Sequence, residues 1–270
     1  MSVKVAVVGG GSTYTPELVE GLVALQDRLP VAELVLLDVD EQRLQRVGAF
    51  AWRILQHKGW GGRLRTTTSA AEAVEGAHFV ILQLRVGGQA ARLTDETGPL
   101  AHGGVGQETT GAGGFGKALR TVPVVLDLAA EVARRAAPDA WIVDFTNPVG
   151  IVTQALLDAG HRAIGLCNVA IGFQRRFAGM LGVPPQAVEL EHVGLNHLTW
   201  ARAVRVDGRD RLPELLDTHV EALATDLRMP AALLRDLAAI PSYYLRYYYL
   251  TDVVLTEQRG GTLRAAEVQA

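Results

Sequence analysis

The sequence predicts an α/β fold in which a doubly wound parallel sheet is followed by a second α+β domain. Strand-like and helix-like segments alternate through residues 1–166, a glycine-rich loop follows the first strand-like segment, and the alternation stops beyond Leu181. Strand–helix–strand order of this kind gives parallel strands joined by right-handed crossovers. We therefore predict one domain at residues 1–166 and a second at 167–270.

The strands of the first domain include short apolar runs, as in strands that are buried on both faces. We expect them at Val3–Val8, Glu33–Leu37, Arg63–Thr68, His78–Leu84, Trp141–Phe145 and Ala163–Leu166. Helices are expected from Thr15-Pro16, where Thr15 would cap the first turn, then at Asp40 to about Lys58, Ala70–Val74 and Lys117–Arg135. In the second domain, strands are expected at Val188–Val193 and Leu198–Val206, followed by helices as far as Ile240.

Composition limits the class of protein and its partners. The chain has 26 basic and 29 acidic residues, a net charge of −3, so electrostatics gives no reason to expect nucleic acid or a membrane surface as a partner. The single cysteine, Cys167, excludes an internal disulfide and suits a reducing compartment. No apolar run approaches the roughly 18–20 residues that span a bilayer. We expect a cytoplasmic protein.

The first loop has the pattern of a dinucleotide site. Gly9-Gly10-Gly11-Ser12-Thr13-Tyr14 separates a predicted strand from a predicted helix, and a pyrophosphate binds readily at such a helix N-terminus. The residues predicted to bind it in a Rossmann-type domain are Gly9, Gly11, Ser12 and Thr13. Asp38 ends the next strand, where its carboxylate would accept hydrogen bonds from ribose hydroxyls and repel a 2′-phosphate, so NAD is favoured over NADP. The alternative is that Asp38 caps the following helix.

A second glycine-rich segment, residues 104–114, lies far from the first loop. Glycine lets a backbone approach a ligand closely, and the polar side chains of Gln107, Glu108, Thr109 and Thr110 could reach the same ligand. We interpret the segment as a substrate loop that closes over the cofactor. The alternative is a flexible surface loop.

Three further residue types could carry chemistry. Cys167 and His197 each follow a predicted strand. Although such residues are more often part of a core, together they would leave positions on a catalytic metal for water and substrate. Residues 241–249 hold five of the six tyrosines. A tyrosine base needs its phenol pKa of about 10 lowered by a nearby cation; otherwise the segment is an aromatic packing helix or an adhesive surface.

Together these segments resemble family 4 of the glycoside hydrolases, in particular its NAD- and manganese-dependent 6-phospho-β-glucosidase branch. The resemblance runs from Val3 to Val268. The motifs that carry it are Gly9–Leu18, Arg85-Val86-Gly87-Gly88, Arg92-Leu93-Thr94-Asp95-Glu96, the segment 104–114, Asn147-Pro148-Val149-Gly150, Cys167-Asn168, Asn196-His197, Tyr244-Leu245-Arg246-Tyr247-Tyr248 and Thr262–Val268.

The resemblance implies a role for each matching residue. Cys167 and His197 would hold a divalent metal, usually Mn²⁺, and Tyr244 would be the base. The residues that would contact the phosphorylated sugar are Arg85, Arg92, Asn147, Asn168 and Arg264. The implied reaction departs from two-carboxylate hydrolysis: NAD oxidises C3, Tyr244 removes the C2 proton, the C1 substituent leaves, water adds, and C3 is reduced again. The implied substrate is a phosphorylated disaccharide or an aryl 6-phospho-glucoside, and the implied assembly is a homo-oligomer, a dimer or a tetramer.

Two departures from the family pattern affect these expectations. Asn168 stands where some α-specific relatives carry Asp or His, which favours the β branch, yet that branch usually has proline where this chain has Ala170. The sequence stops at Ala270 while relatives continue, so we expect a second domain that is truncated at its C-terminus. Two other functions stay open: a malate- or lactate-type NAD-dependent dehydrogenase, and a non-catalytic NAD-binding remnant.

Overall fold

The computed structural model describes residues 3–269 of the chain. These residues form two units: residues 3–91 with 116–166, and residues 92–115 with 167–269. The segment 92–115 groups with residues 167–269 rather than with the part of the chain that surrounds it.

The first unit is built on a six-stranded sheet in which every neighbouring pair of strands is parallel. In chain order the elements of residues 3–166 are β1 (Val3–Val8), α1 (Thr15–Ala24), β2 (Val31–Leu37), α2 (Glu41–His57), β3 (Arg63–Thr67), α3 (Ala70–Val74), β4 (Phe79–Leu82), α4 (Gly88–Ala101), α5 (Gly111–Arg135), β5 (Trp141–Asp144), α6 (Val149–Asp158) and β6 (Ala163–Gly165). Most of α4 and the start of α5 belong to the second unit. The strand order is β3-β2-β1-β4-β5-β6, the order of dinucleotide-binding sheets, which take ligands beyond the carboxyl ends of their strands. The predicted doubly wound Rossmann-type sheet is confirmed.

The central strand β1 is apolar over residues 5–8, where both of its faces are buried. Successive side chains of a strand point to opposite faces. Accordingly, Ala6 and Val8 belong to a core cluster that includes side chains of α5, whereas Val5 and Val7 belong to one that includes side chains of α2. Burial on both faces fixes β1, and with it the start of the glycine-rich loop that follows Val8.

The second unit contains an antiparallel sheet with helices packed against it. Its elements are α7 (Asn168–Leu181), β7 (Val188–Leu195), β8 (Leu198–Val206), β9 (Arg209–Asp210), α8 (Leu212–Thr218), α9 (Val220–Leu227), α10 (Ala231–Leu237), β10 (Ile240–Pro241), α11 (Arg246–Tyr249), α12 (Thr251–Gly260) and α13 (Arg264–Gln269). The strand order is β10-β8-β7, with β9 paired to β8. Phe177, Val204 and Leu223 lie in one core cluster. The predicted α+β character of this part of the chain is confirmed.

Several features differ from the sequence-based expectation, and helices α6 and α7 were not among the predicted elements. The sequence did not predict α4, because the buried residues of this helix are Asp95 and Glu96 and an apolar stripe is the signal by which a helix is found. Thr15 does not cap α1: it is the first helical residue, and its hydroxyl donates to the Gly10 carbonyl at 2.8 Å.

Other differences concern boundaries. Helix α5 begins at Gly111 rather than Lys117, so the second glycine-rich segment is a loop that continues into a helical turn. Strand β2 begins two residues earlier than expected, at Val31. Within residues 3–269, no helix combines the length and the apolar character needed to cross a membrane.

Candidate active site

The first glycine-rich loop is fixed by close packing against the ends of neighbouring strands. Gly9 has φ +86°, and a Cβ there would lie 2.5 Å from the Gln83 carbonyl oxygen. A Cβ on Gly10 would lie 2.7 Å from Leu36 Cβ. The Gln83 side chain then donates to the Gly9 carbonyl at 3.0 Å and to the Thr15 hydroxyl at 2.8 Å. The loop backbone is therefore held in one conformation.

Asp38 lies directly against this loop. Its Oδ2 accepts from the Gly11 N–H at 2.9 Å, and a Cβ on Gly11 would lie 2.8 Å from the same oxygen. Arg43, which the sequence did not single out, donates from Nε to the Gly11 carbonyl at 2.7 Å. The cap of α2 is Asp40, whose side chain accepts from the Arg43 N–H. The alternative role of Asp38 as that cap is therefore wrong.

Arg85 and Asn147 follow two adjacent parallel strands, β4 and β5. Both are partly buried. The carboxyl ends of such strands meet at one edge of the sheet, so these two predicted substrate residues lie at the same edge.

Beside them, Asp144 is fully buried and accepts from the Thr146 N–H at 2.9 Å and the Thr153 hydroxyl at 3.0 Å. Burial raises the pKa of Asp144 to about 6, against the opposing effect of these hydrogen bonds.

In the second unit, Cys167 and His197 are in contact, with Sγ 3.4 Å from Nε2. Cys167 immediately precedes α7, and His197 sits in the turn between β7 and β8 with φ +60°. His197 is 4% exposed, and burial lowers its pKa to about 4 although the Glu108 carboxylate opposes this. The imidazole is thus neutral at pH 7, the form that binds metals.

The chemistry of this donor pair fits a divalent cation. A thiol that can ionise and a neutral imidazole are both metal ligands. Among the residues that the structure describes, no group of three or more His, Cys, Asp or Glu side chains forms a metal site. A cation held by this pair would therefore keep coordination positions for water and substrate oxygens.

Tyr244 stacks on the His197 ring, with 3.5 Å between ring centroids and 7° between the planes. Burial raises its pKa above the usual value for a phenol, and the neighbouring Tyr247, Cys167 and Glu108 add to the effect, whereas a hydrogen bond with Thr109 opposes it. The Tyr247 ring lies 6.0 Å from that of Tyr244, and burial raises the pKa of Tyr247 to about 12.

The loop of the second glycine-rich segment is anchored within the second unit, so the flexible-loop alternative is wrong. The Gln258 side chain makes two hydrogen bonds with the Gly106 backbone: it accepts from the Gly106 N–H at 2.9 Å and donates to the Gly106 carbonyl at 2.7 Å. A Cβ on Gly106 would collide with the Glu96 carbonyl, and one on Gly113 with the Asp95 carbonyl. These two glycines therefore serve a close approach to the backbone of α4.

The polar residues of this loop lie at the tyrosines and the Cys–His pair. Thr109 hydrogen-bonds Tyr244, and Gln107 hydrogen-bonds Tyr247. Glu108 is 6% exposed and acts electrostatically on both His197 and Tyr244.

The other predicted substrate residues of this unit differ in exposure. Arg92 is nearly buried on α4, and its Nε lies 2.9 Å from Glu96 Oε1 and 3.3 Å from Glu108 Oε1. Arg264 begins α13, and its exposed side chain pairs with Glu267 at 3.0 Å.

Asn168 is exposed at the start of α7, with its Oδ1 4.0 Å from Cys167 Sγ. Glu96 received no role from the sequence, although its i,i+4 spacing from Arg92 is a signal that could have paired these two residues. Glu108 was expected only as one of the polar side chains of the second glycine-rich segment.

Comparison with known proteins identifies the family. The model described as "Family 4 glycosyl hydrolase" matches residues 4–183, and that of the C-terminal domain of the same family matches residues 192–270. A "Probable 6-phospho-beta-glucosidase" of Bacillus subtilis is 39% identical over 266 residues, which cover 94% of this chain and 60% of that protein. The "6-phospho-alpha-glucosidase 1" of Lacticaseibacillus paracasei is 33% identical over 286 residues, which cover 99% and 64%.

Solved structures agree with this match. The 6-phospho-beta glucosidase of Thermotoga maritima, solved with manganese, NAD+ and glucose-6-phosphate, superposes with a TM-score of 0.91 at 36% identity, covering 99% of this chain and 65% of that one. The chain thus spans between 60% and 65% of the length of these relatives. On the match of both family models and of these relatives, the chain belongs to the family 4 glycosyl hydrolases.

Proposed function

We propose that this chain hydrolyses 6-phospho-β-glucosides by NAD-assisted redox elimination, with a divalent metal, Mn²⁺, held by Cys167 and His197. The observation that carries the proposal is the contact between these two side chains, with Tyr244 stacked on His197. This arrangement places two metal ligands and a candidate base together. It occurs in a family with a relative whose structure contains manganese, NAD+ and glucose-6-phosphate.

The cofactor site is the loop after β1. Gly9, Gly11, Ser12 and Thr13 would surround the pyrophosphate at the N-terminus of α1. Asp38 holds the Gly11 N–H, and its carboxylate would accept hydrogen bonds from the adenosine ribose.

When bound, NAD would accept and return a hydride, and the cation would stabilise negative charge on a sugar oxygen. Tyr244 is the residue that would take the C2 proton. Burial keeps its phenol protonated at neutral pH in the chain alone, so ionisation requires positive charge nearby. Tyr247 lies three residues further on and is the alternative base.

The residues proposed to contact the phosphorylated sugar are Arg85, Arg92, Asn147, Asn168 and Arg264. Guanidinium groups bind phosphate oxygens in a bidentate manner. Asn168 supports the β over the α preference because an amide cannot act as a general acid. The higher identity to the β-specific relative, 39% against 33%, points the same way.

The decisive experiment is turnover of a chromogenic aryl 6-phospho-β-glucoside with and without NAD⁺ and Mn²⁺. The proposal requires turnover that depends on both and leaves no net NADH. Net NADH formation from a 2-hydroxy acid would instead indicate a dehydrogenase. NAD binding without any turnover would indicate a non-catalytic remnant.

Assembly and location also remain proposals. A dimer or a tetramer is expected, and light scattering of the purified chain tests it. A cytoplasmic location is expected, and fractionation of the producing cells tests it.

A further inference from the structure

A buried carboxylate, that of Glu96, joins α4 to α13. Glu96 is 3% exposed. Its Oε1 accepts from Arg92 Nε at 2.9 Å, and its Oε2 accepts from the backbone N–H of Ala265, also at 2.9 Å. Ala265 is fully buried and directly follows Arg264.

We propose that Glu96 is a positioning residue for two substrate-binding arginines. It fixes Arg92 by a contact with the arginine side chain and Arg264 by a contact with the backbone of the next residue. The inference rests on the proposed function, in which both arginines contact the phosphorylated sugar. An exposed arginine at the start of a short helix loses conformational freedom when it binds a ligand. Fixing the helix start in advance reduces that cost.

A carboxylate is the group that this position requires. Both partners of Glu96 are N–H donors, and a carboxylate has an acceptor oxygen for each. A glutamine has the same shape but one acceptor and one donor, so either orientation of its amide breaks one of the two contacts. An aspartate keeps the charge but is one methylene shorter, so it cannot span the same two donors.

The first test is Glu96→Gln in the 270-residue chain, with NAD⁺ and Mn²⁺ present. Loss of one charge-assisted hydrogen bond should raise the calorimetric Kd for glucose 6-phosphate, and the KM of a chromogenic substrate, by about tenfold. The kcat and the Kd for NAD should stay within about twofold. A general loosening of the unit would instead lower kcat as well.

A matched control removes a carboxylate from another buried arginine of the same unit. Glu257 lies 2.8 Å from Arg246, which is 3% exposed. Glu257→Gln should leave the Kd for glucose 6-phosphate unchanged. An equal rise in both variants would overturn the inference, because it would show that any lost ion pair has this effect.

Combining Glu96→Gln with Arg264→Ala tests the proposed route. Since Glu96 acts partly through Arg264, the rise in Kd of the double variant should be smaller than the product of the two single rises. A rise in Kd of the double variant that equals the product of the two single rises contradicts the route through Ala265.

Folding is checked by thermal unfolding, and Glu96→Asp is the second variant. It should also raise the Kd for glucose 6-phosphate, and an unchanged Kd in either variant contradicts the inference alone. If neither variant folds, Glu96 serves stability and the inference is wrong. If the unsubstituted chain binds no glucose 6-phosphate, the proposed function fails and the inference fails with it.

Discussion

At the scale of single residues, the site pairs side chains that are distant in the sequence through short polar contacts. Cys167 and His197 are 30 residues apart and meet at 3.4 Å. The spacing of the two residues could not predict this meeting, because it depends on where the turn between β7 and β8 falls. The resemblance to the family supplied the pairing. The position of Asp38, in contrast, could be predicted from the sequence alone, because the residue ends a recognisable apolar strand.

Asp38→Ala should weaken NAD binding by about tenfold or more, because a carboxylate that accepts ribose hydrogen bonds is lost. The Kd for NADP should change much less, since the same carboxylate repels a 2′-phosphate. Titration of both nucleotides measures the ratio. Asp40→Ala is the control: it removes the cap of α2 and should leave the ratio unchanged. Tighter binding of NADP than NAD by the unsubstituted chain would contradict the role of Asp38.

Tyr244→Phe should leave NAD and Mn²⁺ binding intact and abolish exchange of the substrate C2 proton with solvent deuterium, because the ring still stacks on His197 but no phenolate can form. Deuterium incorporation followed by NMR is the measurement. Tyr247→Phe, which removes the neighbouring phenol, should retain exchange. If Tyr244→Phe retains exchange, the role passes to Tyr247 or to a metal-bound hydroxide.

Asp144 predicts a pH dependence of stability. Its pKa is raised to about 6 in the folded chain from an ordinary 3.8, so the folded state binds more protons than the unfolded state between these values. Stability therefore falls as the pH rises from about 4 to about 6, by roughly 3 kcal/mol, and the cost persists above pH 6.

Asp144→Asn tests this, because an amide can accept from the Thr146 N–H and donate to the Thr153 hydroxyl without carrying charge. The variant should be more stable by about 1–3 kcal/mol at pH 7.5, and the difference should vanish near pH 4. Urea unfolding across this range measures it. Asp139→Asn, at an exposed aspartate of the same unit, is the control. An equal gain at both pH values would refute the pKa assignment.

At the scale of secondary-structure elements, α4 and the loop beside it show where sequence patterns fail. Strand β1 was predictable because residues 5–8 are apolar on both faces. Helix α4 was not, because it buries Asp95 and Glu96, and polar residues normally indicate an exposed face. The glycines of residues 104–114 were recognised as significant, but two of them serve contact with the α4 backbone rather than with a ligand.

Gly106→Ala should destabilise the chain by about 1–3 kcal/mol, because the added Cβ collides with the Glu96 carbonyl and the loop must move away from α4. Thermal unfolding gives the change. Gly98→Ala on α4 is the matched control. A Cβ there meets nothing within 4 Å, so alanine should be neutral or stabilise the helix by up to about 1 kcal/mol. Equal stability of Gly106→Ala and the unsubstituted chain would show that the loop can move away from α4 without a loss of folding free energy.

At the scale of the whole molecule, the sequence predicted the architecture better than the grouping of its parts. Strand-like runs that alternate with helical segments predict a parallel sheet with right-handed crossovers. Nothing local in residues 92–115 indicates that they group with residues 167–269. That grouping depends on individual polar contacts, such as those of Glu96 and Gln258, and the hydrophobic periodicity of a sequence does not predict such contacts.

The contacts of Glu96 with Ala265 and of Gly106 with Gln258 join residues 169 and 152 positions apart. On a ribosome, residues 92–115 emerge long before either partner exists. The segment therefore stays without these partners until residues 258 and 265 have been synthesised, and closing so large a loop is slow. The sheet of the first unit needs nothing beyond residue 166. The proposed nucleotide site should thus form before the proposed sugar-phosphate site, both during translation and on dilution from denaturant.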